Sequence, residues 1–417
     1  MIEQNFKKNM IWNAAGNVVY LLCQWLLTVL VFRMSGEADA GILSVAMSVS
    51  ATFQTVALFG IRNFQVSDIS GKYTDTCYVG FRVITCAVAL VACMIFSLVT
   101  AYRGAQLLAV FLFMIFRLAE NFSDVLVGIA QKNGRLDIAG KSFAIKGVGT
   151  LVCFVLFFKI SGDLNVGLLS IALFSCLSTI VYDAFFTKRL ADFSFLPKDR
   201  KWLSLGRETA PLCVYLFLNS ALSTIPKLIL EKQSGNEILG FYSSVFAPAL
   251  LVAAAANYLY NPFVPLLADA RDKRDKRAFF SIILKLLLIM AVVAVLVLIA
   301  AAILGEWALT LVFGARIAPY SYLLIPILIS IFTCVICSFL STVLVVLRDF
   351  APILVACGVG VLAETLLTAP LIEWCGTNGT SYSFIFGSLI ATVILTVRLL
   401  FITRHGIPKQ PQKEIDQ

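Results

Sequence analysis

Apolar runs of about 20 residues, broken by short polar stretches, recur along the whole chain. A helix of that length, rising about 1.5 Å per residue, crosses the roughly 30 Å hydrocarbon core of a bilayer. Windows of this kind fall at 10–32, 40–60, 78–101, 105–130, 139–159, 164–186, 209–230, 238–261, 279–304, 319–347, 350–372 and 379–402. The widest polar gap, 187–207, is too short to fold as a domain of its own. The pattern predicts an all-α polytopic membrane protein with about twelve transmembrane helices and no hidden soluble module. The N-terminus, "MIEQNFKKNM" before an apolar run, mimics a signal peptide, but no small-residue cleavage site follows, so it reads as a retained first span.

The windows also repeat. After the first comes "SGEADAGILS" at 35–44, and after the seventh comes "SGNEILGFYS" at 234–243; serine, glycine, glycine and serine coincide at an offset of 199. Under the same offset Phe81, opening the third window, falls on Phe280, opening the ninth. The chain therefore divides near residue 205 into an N-lobe (1–205) and a C-lobe (206–417) of six spans each. An even number of spans per copy makes the repeats parallel, related by an axis along the membrane normal. Two six-helix lobes around a central cavity are the plan of a transporter in which one lobe rocks against the other.

Composition agrees: 60% of the 417 residues are hydrophobic and 14% charged, with a mean hydropathy of +0.91. Placing both termini inside puts 23 of the 33 basic residues in inward segments, from Lys7 and Lys8 to Lys409 and Lys413, and five in outward loops. That bias sets the orientation by the positive-inside rule, in a cell membrane with both termini cytoplasmic. It also accounts for the net charge of +9 as topology and attraction to anionic lipid, with no nucleic-acid partner. Of eleven cysteines only Cys375 falls in an outward loop, so a disulfide framework is not expected, and Cys334 and Cys337 within "SIFTCVICSFL" read as packing residues. The single histidine, His405, lies in the tail, which speaks against His-based chemistry and for a protein that is not an enzyme. No metal and no cofactor are expected.

Three stretches carry a family resemblance: "KKNMIWNAAGN" at 7–17, "GEADAGILSVAMSVSATFQTVALFGIRNFQVSDISGKY" at 36–73, and "AENFSDVLVGIAQKNGRLDIAG" at 119–140. With a looser echo in "GFYSSVFAPAL", they resemble the bacterial polysaccharide repeat-unit flippases of the Wzx type, in the multidrug/oligosaccharidyl-lipid/polysaccharide exporter superfamily. The resemblance implies translocation of an undecaprenyl-diphosphate-linked oligosaccharide from the inner to the outer leaflet without ATP. Membrane lipids are then partners, with polysaccharide polymerase and glycosyltransferases as further candidates. Drug antiporters of the superfamily commonly carry an acid in the first span, whereas 10–32 has none. Peptidoglycan-precursor flippases usually have fourteen spans. An ion-coupled multidrug antiporter stays the first alternative, and a membrane enzyme of glycan assembly the second.

Charges inside spans need a reason, because each costs at least about 2.5–3.5 kcal/mol at the bilayer centre. Arg117, Glu120, Asn121, Asp124, Gly128 and Gln131 follow three- and four-residue spacing and form one polar stripe on the fourth span. Two readings stay open: Arg117 meets the diphosphate of the lipid carrier, or it only pairs with Glu120 and locks the helix to a neighbour. Lys146 and Lys227 are candidate further cations of the cavity, each with snorkelling as the alternative. Arg82 and Lys285 are expected to snorkel to lipid phosphate. Glu364, the deepest charge of the second half, either binds a coupling proton or sodium, as Glu120 or Asp124 also could, or hydrogen-bonds a neighbouring helix. Asn13, Asn17 and Gln24 form a second stripe, suited to sugar hydroxyls or to helix packing. Pro211, Pro226 and Pro248 are expected to bend spans seven and eight.

Overall fold

The protein is described here by a computed structural model covering residues 2–68, 71–196 and 200–405. Among the described residues there is no strand, and the helices are α1 (Ile2–Met34), α2 (Glu37–Leu58), α3 (Ile61–Ser67), α4 (Asp75–Val99), α5 (Gly104–Lys132), α6 (Leu136–Ser161), α7 (Leu164–Ser178), α8 (Phe185–Lys188), α9 (Lys201–Tyr260), α10 (Val264–Asp272), α11 (Lys276–Phe313), α12 (Leu324–Val346), α13 (Ala351–Cys375) and α14 (Asn378–His405). A π-type turn, Thr179–Ala184, joins α7 to α8. The side chains of Lys7, Lys8, Arg404 and His405, and Lys198, Lys409 and Lys413 altogether, lie outside the described residues.

Among the described residues, ten stretches are long and apolar enough to cross a membrane. One of them holds α9, which breaks at Gly235 (φ 82°, ψ 172°) into two spans. Helix α5, with 29 residues, has spanning length as well. All twelve windows read from hydropathy are thus helical, and the chain is an all-α, multi-pass membrane protein. Within α9 only Gly235 leaves helical dihedrals, so Pro211, Pro226 and Pro248 do not interrupt it; a proline φ near −65° fits a helix even though one backbone hydrogen bond is lost.

By packing, the chain forms two compact units, Met1–Ala247 with Thr310–Ile317, and Pro248–Leu309 with Ala318–Gln417. In the first unit α5 is central, against α2, α4, α6 and α7. That position explains its polar stripe: α5 has protein on most sides, so its charges meet protein and not lipid. Helices α1 and α6 approach closely through small residues. A Cβ on Gly16 would sit 1.9 Å from the Gly140 carbonyl oxygen, and one on Gly140 would sit 2.1 Å from that of Trp12. Without a hydrophobic drive between helices in lipid, such close backbone approach is the main source of their association. Between α2 and α3 the chain turns through two left-handed residues, Phe59 (φ 49°) and Gly60 (φ 65°). The turn lays α3 on α5. In the second unit α14 packs on both α12 and α13.

Candidate functional site

The α5 stripe opens onto a cavity of ≈190 Å³ within the first unit, lined by Tyr20, Gln54, Arg117, Glu120, Asn121 and Lys146 among others. Four helices supply these groups: α1 gives Tyr20, α2 gives Gln54, α6 gives Lys146 and α5 the rest.

Arg117 and Glu120 pair on one face of α5, Nη1 to Oε2 at 2.8 Å. The Tyr20 hydroxyl donates to the other Glu120 oxygen, and the guanidinium lies 5.2 Å from the Phe113 ring centre and 5.5 Å from that of Phe116. Among the described residues its Nε has no partner, and neither does the Asn121 Nδ2; the Asn121 Oδ1 accepts from Gln54 at 2.9 Å. Unsatisfied buried donors beside a polar cavity are the groups a bound anion or ordered water satisfies.

Seven residues further along α5, about 10 Å, Asp124 accepts from two guanidiniums. Arg62 of α3 reaches its Oδ1 at 2.7 Å and Arg82 of α4 its Oδ2 at 3.1 Å. Arg62 also donates to Gln131 at 3.0 Å. Arg82 does not snorkel to lipid as its place near a span end predicts. It is fully buried, because α2 and α5 cover that face of α4, and it donates at 2.6 Å to the Ala57 carbonyl.

Lys146 is buried and bonds Asp183 at 2.6 Å, while Ser123 donates to the same carboxylate oxygen at 2.5 Å. Asp183 sits in the π-type turn Thr179–Ala184, a widening often found at functional positions.

These contacts change the electrostatic balance. The α5 stripe alone has one net negative charge, but the assembled network sets Arg62, Arg82, Arg117 and Lys146 against Glu120, Asp124 and Asp183, leaving one net positive charge. Sequence reading missed four of its members. Tyr20 continues the Asn13, Asn17, Gln24 stripe at seven residues, and that spacing was legible. Asp183 lies inside the sixth window as its only carboxylate, a second usable signal. Nothing local distinguishes Arg62 or Arg82 from basic residues that flank spans.

The other candidates lie elsewhere. Asn17 donates to the Asn13 carbonyl at 3.0 Å within α1, and Gln24 has a buried Oε1 without a partner among the described residues; none of the three is among the residues that line the cavity. Lys227 places its ammonium 3.7 Å from the Phe246 ring centre, a cation–π contact. Lys285 is exposed. Glu364, in the second unit, is fully buried, and both its carboxylate oxygens are unpartnered among the described residues. Gly387 of α14 faces it, where a Cβ would lie 2.3 Å from the Glu364 Cγ; only glycine leaves room for the acid. Among the described residues no cluster has the makings of a metal site.

The architecture defines a class. An inward-facing multidrug resistance MATE family transporter of the MOP superfamily matches with a TM-score of 0.67 at 13% identity, over 95% of this chain and 99% of its own. The lipid II flippase MurJ, in an inward closed conformation, matches with a TM-score of 0.70 at 11% identity, over 94% of this chain and 87% of its own. The fold is that of these membrane transporters. The family described as "Polysaccharide biosynthesis protein" matches residues 6–270, and the chain belongs to it. A curated relative, the capsular polysaccharide biosynthesis protein CapF of Staphylococcus aureus, is 24% identical over 320 residues, 76% of this chain and 80% of its own.

Proposed function

We propose that the chain is a flippase that moves undecaprenyl-diphosphate-linked oligosaccharide repeat units from the inner to the outer leaflet of a bacterial cell membrane, by alternating access, for surface polysaccharide assembly. The observation that carries this reading is the cavity in which Arg117 and Lys146 stand beside Glu120 and Asp124, with the Arg117 Nε and the Asn121 Nδ2 unpartnered among the described residues, inside a chain of the polysaccharide biosynthesis family. A diphosphate entering the bilayer loses its water and needs fixed donors in exchange, and a guanidinium fork suits phosphate oxygens. In cells lacking their resident flippase, the chain should relieve the inner-leaflet accumulation of lipid-linked oligosaccharide. Persistent accumulation with the protein inserted and abundant would refute the cargo. The MATE-like fold also fits an ion-coupled multidrug antiporter; resistance to cationic dyes without relief of oligosaccharide accumulation would select it.

Orientation is part of the proposal. With both termini cytoplasmic, the exposed Cys375, left as the sole cysteine, should react with an impermeant maleimide in sealed right-side-out vesicles. A cysteine at Ser204 should stay unlabelled. The opposite pattern would invert the topology.

Coupling to a proton or sodium gradient is assigned to Glu364, with Glu120 and Asp124 as further acids. A buried carboxylate with no internal partner binds a proton or a cation, or costs several kcal/mol. Glu364→Gln should leave the folded protein able to equilibrate cargo between leaflets and remove the stimulation by an imposed gradient. Undiminished stimulation would take Glu364 out of the coupling.

A further inference from the structure

At the end of the bundle that the charge bias turns outward, α2 meets the second half of α9 in a contact that is its own mirror in sequence. A Cβ on Gly41 would lie 1.8 Å from the Asn236 carbonyl oxygen, and a Cβ on Gly240 would lie 1.9 Å from that of Glu37. Gly41 and Gly240, Glu37 and Asn236 are both 199 apart. So are Gly36 and Gly235, which start the two helices at φ 100° and 82° with ψ near 180°. The hydroxyls of Ser44 and Ser243, also 199 apart, touch at 2.5 Å. Residue i thus meets the copy of residue j while j meets the copy of i, the signature of a two-fold isologous interface. The repeat read from the sequence is here a physical contact between its copies.

Among the described residues the contact is a close backbone packing without an ion pair at the crossing itself. Glycine against a carbonyl leaves two smooth helix backbones held by dispersion and weak Cα–H···O contacts, beside the small hydroxyl contact of Ser44 and Ser243. Around it sit an exposed clip and a ring cluster. Arg33 donates at 2.5 Å to the Leu311 carbonyl, and Arg316 pairs with Glu37 at 3.4 Å. Phe32 stands edge-on to both Phe241 and Phe313, with ring centres 5.7 Å apart in each case. The segment Thr310–Ile317 is thereby part of the first unit, although its flanking residues belong to the second. Exposed ion pairs contribute little and are screened by salt.

We propose that this reciprocal glycine crossing, with the 310–317 clip over it, is a releasable seal that closes the outward end in the present conformation and has to part for cargo to leave. The proposal rests on the transport reading above. Ser44→Cys with Ser243→Cys, in a chain whose eleven native cysteines are replaced, places two sulfurs within bonding reach. Oxidation should bridge them, stop flipping at least tenfold, and reduction should restore it. A verified bridge with undiminished flipping overturns the seal. A second readout is independent of cargo. A sole cysteine at Ser243, buried here, should react with an impermeant maleimide severalfold faster in Gly41→Ala or Gly240→Ala, and in the milder Arg316→Ala should either glycine variant fail to accumulate. Unchanged labelling in the variants that fold overturns the seal as well. If labelling rises but the unlocked protein moves no lipid-linked oligosaccharide, the seal stands and the cargo assignment falls.

Discussion

Arg117→Ala is expected to insert and fold, and to slow flipping by about ten- to a hundredfold, the range set by losing one charge-assisted hydrogen bond of about 1.5–3 kcal/mol. Arg117→Lys should fall between, because an ammonium keeps the charge but not the two-pronged geometry. The decisive variant is Arg117→Ala with Glu120→Ala. In the structure Arg117 neutralises Glu120 at 2.8 Å, so a scaffold role predicts that removing the stranded carboxylate restores function. The Nε, unpartnered among the described residues and beside the cavity, favours a ligand role, and the double variant should remain as slow as the single one. Inner-leaflet accumulation of lipid-linked oligosaccharide in the three variants measures this, and near-normal flipping in the double variant would make Arg117 scaffold.

Lys146→Ala carries the largest expected effect on stability. Lys146 and Asp183 are 2% and 1% exposed, and their pair at 2.6 Å joins α6 to the π-type turn that follows α7. Breaking a buried pair from one side strands the other charge and costs about 3–5 kcal/mol, whereas replacing both partners with apolar groups of similar size is near neutral. Lys146→Ala should therefore lower the melting temperature in detergent and the folded yield, and Lys146→Met with Asp183→Leu should recover both. Equal loss in the single and double variants would show that the pair acts through its cavity neighbours and not through its own buried charge.

The membrane class, the twelve spans and the repeat were legible because each rests on a one-dimensional quantity. Hydropathy over about 20 residues fixes whether a segment can dissolve in hydrocarbon, and a segment of that length makes all its backbone hydrogen bonds within itself as a helix. The α5 stripe was legible for the same reason, since spacing of three and four residues fixes a face. Its partners were not. Arg82 lies near a helix end and on its own strip of sequence resembles any snorkelling residue; only the helices packed over it deny it a route to lipid. Arg62 reaches Asp124 only because Phe59 and Gly60 reverse the chain and lay α3 on α5.

What the sequence by itself determined is where the chain spans, how it repeats and that α5 has one polar face. The tertiary structure decided what that face is. Taken alone, the stripe is net negative and poor for an anion. With Arg62, Arg82, Lys146 and Asp183 folded against it, the network is net positive, and its members Arg117, Glu120, Asp124 and Lys146 line a cavity. The physical reason is range: periodicity along one helix is set within a few turns, whereas the charge felt by a ligand is the sum over all groups within several ångströms, and those arrive from helices far apart in the chain.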